Sequence, residues 1–170
     1  MEKEIYNVVG YGSLISHSSF KEDYSDKKFK PVIVNGYKRI FNILEENKGL
    51  DVLNILESKK NKFNGVLFKL NEKELKKLKE REDWYNIEEA EYYDFETKKK
   101  IGKGLLFIDH LILIDKHKKK PDKKYFILCR EAAYHLKKEF GKMWDETTYT
   151  SAGEKISEWI KNNASYDTLK

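Results

Sequence analysis

The residues best placed to do chemistry begin where the first apolar run ends. Ile5 to Val9 has the β-branched character of a strand, and it breaks into Gly10-Tyr11-Gly12-Ser13-Leu14. Two glycines around a tyrosine let the main chain turn sharply and approach a ligand closely. The amides of Gly12, Ser13 and Leu14 would then point at an anion rather than at a neighbouring strand. Alone, such a corner is only a turn. The acidic stretch Glu80-Arg81-Glu82-Asp83, followed by Trp84-Tyr85, offers it a partner. A carboxyl group partly removed from water can take up and return a proton near neutral pH. Residue types do not choose between Glu80 and Glu82, and a helix-end glutamate is more often a solvated charge.

The other reactive side chains point elsewhere. Cys129 is the sole cysteine, which excludes an internal disulfide and a cysteine-rich metal site. It falls on an apolar helix face as a small hydrophobe, and His135 lies on a different face. His17, His110 and His117 show no ligand spacing, so no metal is expected. Tyr92 and Tyr93 read as wall or core residues. Nothing local draws Tyr125 or Tyr149 to a pocket.

The elements that must position these residues follow from periodicity and punctuation. Val32 to Asn42 is a strand with a bend at Gly36. Val52 to Leu56 is a third strand, and a turn over 61–64 leads into a fourth, Gly65 to Leu70. Asn71 caps a short helix over 72–82, with Glu74 in the capping-box position and Leu75 and Leu78 inward. Tyr85 to Thr97 has strand chemistry. Lys98 to Lys103 is a charged turn before a buried strand, Leu105 to Ile114. After a solvated loop over 116–124, Tyr125 to Phe140 carries apolar residues at helical spacing, and Gly141 ends that helix. Ser151 and Glu154 form a second capping box, opening a terminal helix with Ile156, Trp159 and Ile160 inward. Strands in series with helices late in the chain imply an α+β fold, its sheet mixed or antiparallel and curled into a small β-barrel with flanking helices.

Taken together, these stretches resemble the γ-glutamylcyclotransferase-like family, ChaC-like relatives included. Tyr11-Gly12-Ser13-Leu14 matches its opening Tyr-Gly-Ser motif. Leu78, Arg81, Glu82 and Tyr85 fall on its acidic motif after a Gly-Val-rich strand. Gly36-Tyr37-Lys38-Arg39 with Phe41-Asn42 is similar to its second strand. Cys129-Arg130-Glu131-Ala132-Ala133, leading to Phe140-Gly141, is similar to its C-terminal helix. Lys79 stands where the family usually has aspartate, and Asp83 where many members have glycine. The resemblance implies an enzyme that cyclises a γ-glutamyl group to 5-oxoproline and expels an amine. Glu82 would be its general acid/base, and Tyr11, Gly12, Ser13, Leu14 and Tyr85 its substrate-binding residues. It implies no cofactor and no metal. The alternative on the same fold is a non-catalytic small-molecule-binding protein.

Bulk properties set the outer bounds. With 170 residues, 39% of them hydrophobic, the chain suits one domain over residues 1–170 with a packed core. The net charge of +5 admits a polyanionic partner, but Arg39, Arg81 and Arg130 are the only arginines. The lysine-rich stretches 98–103 and 116–124 lack the arginine and aromatic company of a nucleic-acid site and read as solvated loops. With no signal-like or spanning apolar segment, a cytoplasmic protein with a small-molecule γ-glutamyl partner and no membrane partner is expected. Nothing in the sequence sets an oligomeric state.

Overall fold

The alternation seen in the sequence builds a sheet that turns back on itself. A computed structural model describes residues 3–12, 28–45, 50–81, 86–108 and 117–169. β1 (Ile5–Gly10) pairs antiparallel with the end of β3 (Leu50–Asn71), from Ile5 opposite Asn71 to Gly10 opposite Val66. On its other side it runs parallel to β5 (Lys100–Ile108), with Val8 opposite Leu105. β5 pairs antiparallel with β4 (Asn86–Asp94), and β4 with β2 (Lys30–Glu45) at Val32 to Val34. β2 then pairs along β3, so the ladder returns to the strand it started from. β6 (Thr148–Thr150) adds in parallel to β2 at Arg39 to Phe41. The result is a mixed, curled sheet with flanking helices, its ring closed by the β2–β3 pairing.

The expected third and fourth strands are one strand. The stretch read as a turn, 61–64, belongs to β3, with Lys62 to Asn64 paired to Asn35 to Ile33. A bulge just before it moves the register from Tyr37 opposite Glu57 to Asn35 opposite Lys62. Gly36 sits across from it with φ +89°, which supplies the bend foreseen there. The strand stays continuous because β2 pairs with it on both sides of the bulge, up to Leu67, and β1 pairs with it from Val66 to Asn71.

α1 (Glu72–Arg81) forms as its cap predicts. The Asn71 amide donates to Glu74 Oε2 (2.8 Å) and the Glu74 amide to Asn71 Oδ1 (2.9 Å), satisfying two helix-end donors. Leu75 and Leu78 are buried beneath it. The β4–β5 turn is tighter than expected, and Lys100 to Lys103 already lie in β5. Their charges are accommodated because that face is exposed, with Lys100 pairing with Glu91 (2.7 Å).

The long helix expected over 125–140 is two. α2 (Lys123–Leu136) ends at Lys137, whose backbone is extended, and α3 (Lys138–Thr147) starts directly after it. Gly141 therefore lies inside a helix and ends none. It is small because a Cβ there would stand 2.3 Å from the Tyr134 ring of α2. Phe126 and Trp144 from these helices are fully buried against Phe41 of β2, and Phe140 is fully buried against Phe95. The second capping box does not form: Ser151 donates instead to the Lys119 carbonyl (3.0 Å), and α4 (Ile156–Trp159) has no side-chain cap. Ile156, Trp159 and Ile160 are buried, as their spacing predicts.

Candidate active site

β1 delivers the Tyr-Gly corner into a closed environment. Tyr11 is buried, and its ring meets the Phe63 ring edge-on at 5.9 Å. Its hydroxyl donates to the Phe107 carbonyl on β5. That proton is committed to the scaffold, so Tyr11 offers a ligand its ring and main chain rather than its O–H. Gly12 is buried too, and a Cβ there would lie 2.7 Å from the Tyr125 hydroxyl and 3.6 Å from Leu53 Cβ. Glycine is required at this position because another side chain already fills the space.

Tyr125, which nothing in its local sequence drew to a pocket, is thus the residue the fold brings onto the corner. It occupies the first turn of α2, where its amide donates to the Asp122 cap at 2.8 Å. Its ring stands edge-on to Phe41, 6.3 Å away. One helical turn further on, burial pushes the Cys129 thiol up to about 12, against the pull of the Tyr125 hydroxyl and the Arg39 charge. Cys129 is therefore a protonated, buried hydrophobe and no nucleophile.

Glu82, Tyr85, Ser13 and Leu14 lie outside the described residues, and so do His17 and His110. Their described neighbours bear on the expected site. Phe107, which accepts the Tyr11 hydroxyl, pairs with Ile87, and its neighbour Ile108 pairs with Asn86. The chain that follows Tyr85 thus enters β4 at the same end of the sheet as the corner that precedes Ser13. Glu80, the rival carboxylate, is exposed on α1.

The remaining tyrosines belong to the scaffold. Tyr92 is buried, and Tyr149 accepts from Asn61 Nδ2 (3.2 Å) beneath the Lys38 ammonium. His135 is exposed. Among the described residues no group of three or more His, Cys, Asp or Glu could hold a metal ion, and no helix is long and apolar enough to cross a membrane. Sequence reasoning also missed Arg39, seen there only as part of a strand motif. It is fully buried beside this corner. Its place two residues before the apolar Phe41, on the same face of the strand, is the signal that was present.

The curled sheet with its flanking helices is the γ-glutamyl cyclotransferase fold. A γ-glutamyl cyclotransferase superposes with a TM-score of 0.70 over 96% of this chain and 100% of its own, at 17% identity. An uncharacterized human protein gives 0.71 over 96% and 99%, at 18% identity. A yeast γ-glutamyl cyclotransferase specific to glutathione gives 0.65 over 99% of both chains, at 12% identity. No curated protein sequence matches. The sequence matches the family of ChaC-like proteins over residues 6–126, and the chain belongs to that family.

Proposed function

We propose that this protein is a γ-glutamylcyclotransferase-type enzyme, with Glu82 as its general acid/base. The carrying observation is the junction at Phe107, where the Tyr11–Gly12 corner and the start of β4 meet at one end of the sheet. Membership of the ChaC-like family supports the same reading.

In the proposed reaction the free α-amine of a γ-glutamyl group attacks its own γ-carbonyl carbon. A new C–N bond closes the five-membered lactam of 5-oxoproline, and the C–N bond to the departing amine breaks. Nucleophile and electrophile share one molecule, so holding the chain in a folded conformation removes most of the entropic barrier. Glu82 takes the proton from the attacking ammonium and returns it to the leaving amine, so protons balance with no added acid or base. The amides of Gly12, Ser13 and Leu14 hold the substrate's carboxylate or the developing oxyanion. Tyr11, Tyr85 and Tyr125 shape the pocket around it. The scheme itself draws on no metal or cofactor.

The test is a panel of γ-glutamyl amines, γ-glutamyl amino acids and glutathione, scored for 5-oxoproline with the wild type and Glu82→Gln. Product from at least one substrate, lost by 10²-fold or more in the variant at unchanged circular dichroism, is the expected result. Substrate binding without product, unaffected by Glu82→Gln, would instead identify a binding protein.

A further inference from the structure

Beside the corner lies a charge that the proposed chemistry does not use. The Arg39 side chain is fully buried, and burial holds it down to about 9, still charged at neutral pH. Every acceptor it meets is neutral. Nε donates to Thr148 Oγ1 (2.8 Å), Nη1 to the Asn64 carbonyl, and Nη2 to Asn64 Oδ1 (2.7 Å), Thr147 Oγ1 (3.0 Å) and the Trp144 carbonyl (3.5 Å). The guanidinium also lies over the rings of Trp144 and Phe63, at 5.3 and 5.8 Å. Asp145 offsets the charge only through space, and a buried cation whose hydrogen bonds among the described residues all go to neutral groups is expensive for a fold to keep. A well-packed apolar residue would satisfy the core at lower cost.

What the charge holds is informative. Asn64 takes two of its donors, and its own Nδ2 donates to the Phe140 carbonyl (2.8 Å). On one side of Asn64, Phe63 packs on the Tyr11 ring. On the other, Gly65 passes so near that a Cβ on it would stand 2.6 Å from the Gly10 carbonyl oxygen. Phe63 to Gly65 is therefore the back wall of Gly10 to Gly12, and Arg39 fixes its middle residue.

We infer that Arg39 is a positioning residue for the Gly10–Gly12 corner, acting through Asn64 and touching no substrate itself. The inference rests on the proposed reading of that corner as the substrate-holding loop. Lysine could not replace it. A single ammonium has three donors on one nitrogen and cannot span the five acceptors on Thr148, Asn64, Thr147 and Trp144 that the planar fork reaches from three nitrogens.

The experiment compares Arg39→Lys and Asn64→Ala with Leu70→Ala, a core truncation at the far end of the β1–β3 pair from Gly10. Kinetics of 5-oxoproline release, thermal melts and the backbone amide resonances of Gly10, Tyr11 and Gly12 are read for each. Arg39→Lys should lower kcat/KM about tenfold or more, chiefly in kcat, as loss of orientation does. Leu70→Ala should stay within about twofold despite a comparable loss in Tm. The double variant Arg39→Lys/Asn64→Ala should be no worse than the poorer single variant, because both break one linkage. The three corner amides should shift in Arg39→Lys and not in Leu70→Ala. If Arg39→Lys does not fold, Asn64→Ala carries the same comparison. A wild type inert on every γ-glutamyl compound defeats the proposed function, while the amide shifts still decide this inference. Corner amides unmoved in Arg39→Lys, or activity tracking Tm equally in all variants, would overturn it.

Discussion

At Gly12 the space for a side chain is already occupied, since the Tyr125 hydroxyl lies 2.7 Å from where a Cβ would stand. A methyl group there must push either the phenol or the corner. Gly12→Ala should therefore cost about 1–3 kcal/mol, the usual range for overpacking a tight site, as read by urea denaturation. The atom in the way is the hydroxyl oxygen, so adding Tyr125→Phe to Gly12→Ala should recover most of that loss. Tyr125→Phe alone removes the hydroxyl's hydrogen bond with the buried Cys129 thiol, so it should lower the melt modestly. It should also lower kcat/KM roughly tenfold, the worth of about one hydrogen bond in the transition state. A Tyr125→Phe enzyme with wild-type kinetics would leave this hydroxyl a packing group only.

The helices show why an element is more than its propensities. Gly141 lies within α3, where alanine would ordinarily be favoured by about 1 kcal/mol. A Cβ at that position would stand 2.3 Å from the Tyr134 ring, and a ring fixed at both ends has little room to give. Gly141→Ala should therefore lower Tm instead of raising it. Tyr134 is fixed because its hydroxyl donates to Asp145 Oδ2 (2.6 Å). Burial and that carboxylate together push its pKa up to about 12. Tyr37 is raised to the same value by burial and by its hydrogen bond to Glu88 (3.0 Å). Both phenols keep their protons in the folded state at a pH where the unfolded chain has lost them. Their contribution to stability is thus complete below about pH 10 and disappears as pH rises through about 12. Melts between pH 9 and 12 should show this fall, and Tyr134→Phe should flatten part of it.

Across the whole molecule, one ion-pair network ties α2, α3 and the C-terminal residues together. Arg130 donates from Nε and Nη2 to the two Asp145 oxygens (2.8 and 2.9 Å) and from Nη1 to Asp167 (3.0 Å). Burial opposes the Arg130 charge, but the two carboxylates outweigh it and hold its pKa above the usual arginine value. Asp145→Ala leaves the buried guanidinium with Asp167 alone and removes the Tyr134 partner, so a loss of about 3 kcal/mol is expected in denaturant titration. Asp167→Ala should cost less, since its side chain is 17% exposed and Arg130 keeps its paired carboxylate. Similar losses from the two substitutions would show that the C-terminal residues carry the network.

The sequence by itself determined what short-range physics decides. The Asn71–Glu74 box opened α1 as expected, Gly36 bent β2, and the apolar run of β1 and the tyrosine-rich segment of β4 became strands. In each case the deciding groups lie within a few residues of one another. The corner at Tyr11 and Gly12 was legible because a strand ending between glycines is itself a local signal. Tertiary structure decided the rest. β3 runs unbroken through its polar stretch because β2 pairs with it on both sides of the bulge, and one helix became two with Gly141 fitted against Tyr134. β6 forms by adding in parallel to β2. Tyr125 reached Gly12, and Arg39 reached Asn64 and Thr148, through contacts between segments far apart in the chain. Their partners are chosen by how the sheet curls and where the helices dock. No local pattern around Tyr125 or Arg39 encodes that choice.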